Sequence, residues 1–406
     1  MGAGANPQGG RGTVNGPARA DASVTRMAAV AVAGFCAFLP FYAPQPLLPT
    51  LAAEFRTSVA SISLLLTAST LGVALVAPII GILADRIGRK RIIVPAALLL
   101  GVPSLLVARA TSVPELLFWR FWQGVVTPGI VVVAPAYINE EWQEGVGRAM
   151  GAYVSGTVLG GFFSRLLAGL LAEHFSWRWA FVALALLALA GGLAVWAWLP
   201  ASRGFRRERN AGATARAMAR HLRNPRLLAT YAVGFCVLFS MLATFTYVNF
   251  YLAAPPFNLP ASALGSIFVV YLVAVAVTPL TGGWIRRFGR RALVLVSSVV
   301  WCLGLAITLV PWLPAIILGL AILACAGFTL QTTATSLLAE RAIAARSSAV
   351  GIYVSCYYIG GSAGAVAPAV VWAHAGWLGC VALVSAVLLA TAALAARFWR
   401  PTAGGS

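Results

Sequence analysis

Long apolar runs, parted by short polar or basic breaks, pattern this chain from end to end. The charge-free run 27–53 alone exceeds the roughly 20 residues that cross a bilayer as a helix. Similar runs follow at about 61–84, 92–108, 114–138, 147–171, 177–199, 227–253, 262–285, 292–311, 313–339, 347–373 and 377–396. These twelve runs predict twelve transmembrane helices. None alternates apolar with polar residues over about ten positions, as a membrane barrel strand must, so the fold class is an all-α integral membrane protein.

The pattern also repeats. Gly151-Ala-Tyr-Val-Ser-Gly-Thr-Val-Leu-Gly-Gly returns 200 positions later as Gly351-Ile-Tyr-Val-Ser-Cys-Tyr-Tyr-Ile-Gly-Gly, six of the eleven residues being identical. The same offset pairs Gly34-Phe35-Cys36 with Gly234-Phe235-Cys236, Glu140 with Glu340, His174 with His374 and Trp177 with Trp377. Shifted by one more position, Gly81…Arg86-Ile-Gly-Arg-Lys recurs as Gly282…Arg287-Phe-Gly-Arg-Arg. Two pseudo-symmetric six-helix lobes follow, at 27–199 and 227–396, with a linker at 200–226 and tails at 1–26 and 397–406. Duplicated membrane bundles of this kind are transporters that bind a solute between their halves, near the bilayer midplane.

Composition agrees. The chain is 60% hydrophobic and 10% charged, against about 25% charged in soluble domains. Its net charge of +19 could suggest nucleic acid, but the distribution argues against that: 24 of the 29 Lys and Arg fall in the tails and loops of one side and three on the other. That asymmetry is a topology signal, placing both termini in the cytoplasm. Residues 1–26 lack periodicity and suggest a disordered tail, not a cleavable signal. The linker holds eight Arg and one Glu, and 211–221 is expected to form a short basic helix on anionic lipid. All six cysteines fall inside predicted spans without a CxxC pair, so neither disulfides nor a metal site is expected, and no cofactor is implied.

Certain residues then carry mechanism. Helix 1 holds Pro40, Pro44, Pro46 and Pro49, which break a helix and free carbonyls that protein or a cavity must satisfy. Helix 1 is therefore expected to line the cavity. Gly81, Asp85, Arg86, Gly88, Arg89 and Lys90 form a tight turn where helix 2 leaves the membrane. Asp85 is an anion at a helix C-terminus, which the macrodipole disfavours. Either Arg89 or the start of helix 11 near Ser347-Ser348 must compensate it, and the second would latch the two lobes together.

This turn resembles the signature loop of the major facilitator superfamily, and the resemblance covers nearly the whole chain. The helix 4 signature of that family, Arg followed by Gln-Gly, is matched by Arg120, Gln123 and Gly124. Gln45-Pro-Leu-Leu-Pro, Ser155-Gly-Thr-Val-Leu-Gly-Gly and Tyr357-Tyr-Ile-Gly-Gly are similar to the bacterial acriflavine-sensitivity and arabinose-efflux-like drug:proton antiporters. The resemblance implies the major facilitator fold, an inner-membrane location, export, proton coupling and a monomer. Two departures stand out. Arg286 replaces the acid in the C-lobe echo of the turn, and in helix 5 the antiporter signature keeps Gly147, Gly156 and Gly160 but puts Gly161 where proline belongs and Ser164-Arg165 where a glycine pair belongs. Gly156, Gly160, Gly161, Gly360 and Gly361 still permit close helix packing.

Arg120 and Arg165 lie in the outer halves of helices 4 and 5. An intramembrane arginine costs at least about 2.5–3.5 kcal/mol and faces a cavity or partner, unless it snorkels to the interface. None of the ten acids lies near a midplane. A proton carrier must then be peripheral, with Glu54 and Glu115 nearest, or each is a solvated helix end. His174 and His374 are expected to pack beside the loop tryptophans rather than relay protons. Gln45, Tyr42, Tyr153, Arg165, Asn249, Gln331, Tyr353, Tyr357 and Tyr358 are the cavity candidates. The expected function is export of a small organic solute (drug, sugar or metabolite) by alternating access with protons. The alternative is an uncoupled or anion-exchanging facilitator for an anionic solute. A polytopic membrane enzyme is remote, since no acid–histidine cluster or activated nucleophile is present.

Overall fold

A computed structural model describes residues 17–142, 144–202, 223–341 and 346–399. Every element among them is helical. Ten helices are long and apolar enough to cross a membrane, and a shorter apolar helix, Val24–Phe38, precedes them. The longest, Ala261–Ile307, turns sharply at Gly289, whose φ of 77° only glycine adopts freely. Divided there, the bundle has twelve spans. They are α1 (Pro17–Phe38, resuming as Leu48–Glu54), α2 (Val59–Ile87), α3 (Lys90–Arg109), α4 (Val113–Glu141), α5 (Val146–His174) and α6 (Trp177–Trp198) in the first lobe. In the second they are α7 (Pro225–Ala253), α8 (261–288), α9 (290–307), α10 (Leu313–Arg341), α11 (Arg346–Val366, continued by 368–375) and α12 (377–398). α1 starts ahead of the charge-free run, at Pro17. The expected basic helix at 211–221 lies outside the described residues.

Local signals explain the boundaries. Ser58, Ser112, Ser176 and Asn224 accept hydrogen bonds from the first turns of α2, α4, α6 and α7, removing orphan donors at each start. The repeat becomes physical where α1 meets α5 and α7 meets α11. A Cβ on Gly160 would overlap the Phe35 carbonyl, and one on Gly360 the Phe235 carbonyl, so each lobe holds its pair at backbone contact.

The cores are not equivalent along the bundle axis. We call the end bearing the Gly88 and Gly289 turns the basic end, and its opposite the far end. In the far half a single apolar cluster runs through both lobes, joining residues such as Leu51 and Phe181 to Phe245 and Leu320. In the basic half the lobes keep separate clusters, one around Ala33, Ile130 and Tyr137 and one around Val233, Leu330 and Leu337. The lobes therefore share one apolar core at the far end and keep separate cores at the basic end.

Candidate substrate cavity

Between the lobes lies a cavity of about 200 Å³ whose walls come from α1, α5, α7, α8, α10 and α11. It is mostly aromatic and aliphatic, with Phe38, Met241, Tyr271, Phe328 and Tyr357 among its walls. Its polar groups are few: Gln45, Thr157, the tyrosine hydroxyls and Arg165. Among the described residues no carboxylate lines it.

α1 reaches the cavity through its break. The helix stops at Phe38 and resumes with a 3-10 turn, Gln45–Leu47, which turns Gln45 inward to 1% exposure. Arg165 sits four residues after Gly161 on the same face of α5. Its Nη1 donates to the Gly161 carbonyl at 2.6 Å and its Nε to Gln45 Oε1 at 2.7 Å. A Cβ on Gly161 would lie 3.2 Å from Nη1, so the glycine makes room for the guanidinium. The two departures from the antiporter signature thus work as one unit. Tyr42 of α1 and Phe268 of α8 place their rings 4.4 and 4.3 Å from Cζ, with Tyr271 at 5.3 Å. Two hydrogen bonds to a charged group, each worth roughly 1.5–3 kcal/mol, and these ring contacts offset much of the burial cost. Arg165 is 2% exposed and does not snorkel.

α5 and α8 touch at one end only. Near the far end a Cβ on Gly169 would overlap the Ala261 carbonyl, and one on Gly265 the Arg165 carbonyl. The Ser262 N–H donates to Glu173 Oε2 at 3.1 Å across the same seam. Toward the basic end nothing lies within 4 Å of the Cβ positions of Gly147, Gly151, Gly282 or Gly283. α2 and α11 stay together, through Thr67 to the Ser362 carbonyl (2.9 Å) and Ser355 to the Ala74 carbonyl (2.8 Å).

Residues 30–255 match the model of the Major Facilitator Superfamily. The inner membrane transport protein YnfM of Escherichia coli K12 is 32% identical over 370 residues, covering 91% of this chain and 89% of that one. The uncharacterized MFS-type transporter YybF of Bacillus subtilis 168 is 31% identical, covering 88% and 89%. This chain belongs to the major facilitator superfamily. Solved structures agree in fold: a bacterial homolog of the human lysosomal transporter Spinster, inward-facing and occupied, superposes with a TM-score of 0.75 at 18% identity over 96% of this chain and all of that one. A D-xylose–proton symporter does so with 0.75 at 16% identity, over 95% and 99%. The protein is a multi-pass membrane transporter of this superfamily.

The superfamily's helix 4 signature stays inside the first lobe. Arg120 is 0% exposed and donates from Nη1 to the Pro40 carbonyl (2.9 Å), from Nη2 to Ser69 Oγ (2.9 Å) and the Phe41 carbonyl, and from Nε to the Leu65 carbonyl (3.4 Å). It therefore satisfies two carbonyls left without donors at the α1 break, that of Pro40, four residues before Pro44, and that of Phe41, since the Gln45 N–H turns to Tyr42 instead. Gln123 accepts from Arg120 and donates to Ser104 Oγ at 2.7 Å. A Cβ on Gly124 would overlap the Ser69 carbonyl. None of the three lines the cavity, and snorkelling of Arg120 is excluded by its burial.

At the basic end Arg89 holds Asp85 at 2.6 Å and Glu140 at 2.7 Å. Burial works against its charge, but hydrogen bonds and charge from Glu140 and Asp85 outweigh that and hold its pKa above the ordinary arginine value. The second lobe repeats the pairing with Arg290 and Glu340 at 2.6 Å. Arg89 is thus one compensating partner of Asp85. The side chains of Ser347 and Ser348 lie outside the described residues. Gly88 takes the turn with φ 102°, while a Cβ on Gly81 would meet only a Val132 methyl, at 3.9 Å.

Of the nine predicted cavity residues, Tyr42, Gln45, Arg165 and Tyr357 line it. The other five stand behind the wall. Tyr153 packs in the basic-half core of the first lobe; Tyr353 donates to Gln331 Oε1 at 3.1 Å and stacks on Tyr357. Asn249 donates to the Phe245 carbonyl at 2.6 Å, and Tyr358 meets Phe41 edge-on across the lobes. Glu54 accepts from Trp177 Nε1 (2.6 Å) and Arg178 (2.8 Å), and Glu115 caps α4 by accepting from the Thr111 N–H (2.9 Å). Both are helix-end anchors away from the cavity. His174 and His374 contact the carbonyls of Leu170 and Val370 on their own helices.

Tyr271, Phe268, Phe328 and Met241 were not foreseen. Tyr271 is a tyrosine in the middle of an apolar helix, as Tyr153 and Tyr357 are, and that contrast is a signal the sequence carries; the others show no polar contrast against an apolar run. Gln45 supports one prediction here. Gln45→Leu removes a hydrogen bond to a charged group, so solute affinity should fall about tenfold, with expression and the far-UV spectrum unchanged, as read by a transport titration.

Proposed function

We propose that the protein is a monomeric secondary exporter of the bacterial inner membrane, carrying a small organic solute through this cavity by alternating access. The observation behind this reading is the asymmetric core, one cluster fusing the far halves while the basic halves keep two. Closing the basic halves and parting the far ones would carry a solute across. The charge asymmetry puts the basic end in the cytoplasm, which makes the described arrangement inward-facing. The export direction rests on the resemblance to efflux transporters.

Two couplings are open to test. Proton antiport follows from that resemblance and would run through Glu54 or Glu115, responding to external more than internal pH. Uncoupled or anion-exchanging transport is favoured by a cavity lined by an arginine and no carboxylate. Proteoliposomes assayed for solute exchange and solute-triggered proton movement over a compound panel separate them. Solute flux indifferent to an imposed pH gradient would reject antiport. A gradient response lost in the Glu54→Gln, Glu115→Gln double variant would assign it to those acids. No exchange of any compound would count against the transport reading for this cavity.

Asp85 is proposed to serve exchange between the two arrangements, latching the lobes at the basic end. Asp85→Asn should lower the transport rate about tenfold, a population shift of little more than 1 kcal/mol, with membrane insertion intact. Equal losses of protein and activity would make its role structural.

A further inference from the structure

We propose that Arg165 makes the cavity selective for small organic monoanions that carry an apolar, aromatic-sized body. This rests on the reading that the cavity holds the transported solute. Arg165 spends Nε on Gln45 and Nη1 on Gly161. Among the described residues its Nη2, with two N–H donors, has no hydrogen-bond partner, although the residue is 2% exposed and lines the cavity. A guanidinium edge held this way matches a carboxylate or sulfonate. Among the described residues no acid lines the wall, and the charge is balanced by dipoles and by the rings of Tyr42, Phe268 and Tyr271, so an arriving anion completes the site.

The rest of the wall sets the body of the solute. Met241, Tyr271, Phe328 and Tyr357 offer aromatic and thioether surface, while a sugar would leave most of its hydroxyls unmatched in so apolar a space. One cation answers one anionic charge, which disfavours polyanions. A cationic solute would meet Arg165 in a site poor in screening water, the reverse of what a cavity for cationic drugs requires.

The test uses the full chain in nanodiscs and three probes of one shape: 1-naphthoate, 1-naphthamide and 1-naphthylmethylammonium, measured by equilibrium dialysis. Naphthoate should bind roughly tenfold to a hundredfold tighter than the other two, the range expected for one charged hydrogen-bonding group. Arg165→Gln should erase that preference while size-exclusion and circular-dichroism profiles stay unchanged, and Arg165→Lys should restore part of it. An amide or ammonium that binds as well as naphthoate, an anion preference that survives Arg165→Gln, or no binding of any probe would overturn the proposal. Spin labels at Gly147→Cys and Gly282→Cys report separately on the lobes. If they still sample two distances while naphthoate fails to bind, the solute class is wrong and alternating access stands. A single distance under all conditions would instead sink the transport reading.

Discussion

Arg120→Gln should be among the most damaging single substitutions in the first lobe, costing roughly 3–5 kcal/mol of unfolding free energy. The reason is the break in α1. The helix ends at Phe38, Pro44 supplies no N–H to the Pro40 carbonyl, and the Gln45 N–H goes to Tyr42 rather than Phe41. One guanidinium fills that gap, reaching Pro40 and Phe41 on α1 and Leu65 and Ser69 on α2 from a position on α4. Glutamine is too short to replace it, and the buried carbonyls would be left without donors. Arg120→Lys keeps the charge but not the planar fork, and should recover less than half of the loss. A reversible denaturant titration in mixed micelles measures both. Transport lost at unchanged stability would instead place Arg120 in contact with solute.

Gly169→Val should lower transport at least about a hundredfold, as a bias of a few kcal/mol between two arrangements does, in a protein that still folds. The described arrangement needs the α5 backbone against Ala261 and the α8 backbone, at Gly265, against Arg165. A β-branched side chain at this seam pries the far ends apart and disfavours the basic-end-open state. A maleimide probe at Ser262→Cys, beside the seam, should then react faster in the variant than in the parent. Gly151→Val is the counterpart. Its surroundings are empty in this arrangement, so it should leave labelling of the far end unchanged and hinder only closure of the basic end. Near-parental transport by Gly169→Val would show that the far seam need not close during the cycle.

Much of this protein is legible in its sequence. Gly160 and Gly360 stand in one repeated phrase, and both sit on a neighbouring phenylalanine carbonyl, because a duplicated helix pair needs the same small residue in each copy. The proline-dense stretch of α1 announced a broken helix that would enter the cavity, and Gln45 on its 3-10 turn does so. The pairing of Asp85 with Arg89 was readable from their i,i+4 spacing; the share taken by Glu140 was not, since 51 residues separate it from Arg89.

The amino-acid sequence by itself determined the twelve spans, the two lobes and the sidedness of charge. Lipid demands helices of sufficient apolar length, and those demands act on each segment alone. What only the tertiary structure decided is the fate of residues whose local surroundings look alike. Arg120 and Arg165 are both arginines in the far halves of apolar helices. One closes the broken backbone of α1 through a carbonyl 80 positions away, while the other turns a free edge toward the cavity, held by Gln45 at a separation of 120. Tyr353 and Tyr357 share a face of α11, yet only Tyr357 meets the cavity, because Tyr353 packs against Gly234 of α7. Which neighbour covers a buried polar group depends on packing between segments far apart in the chain, and hydropathy, read one segment at a time, does not encode it.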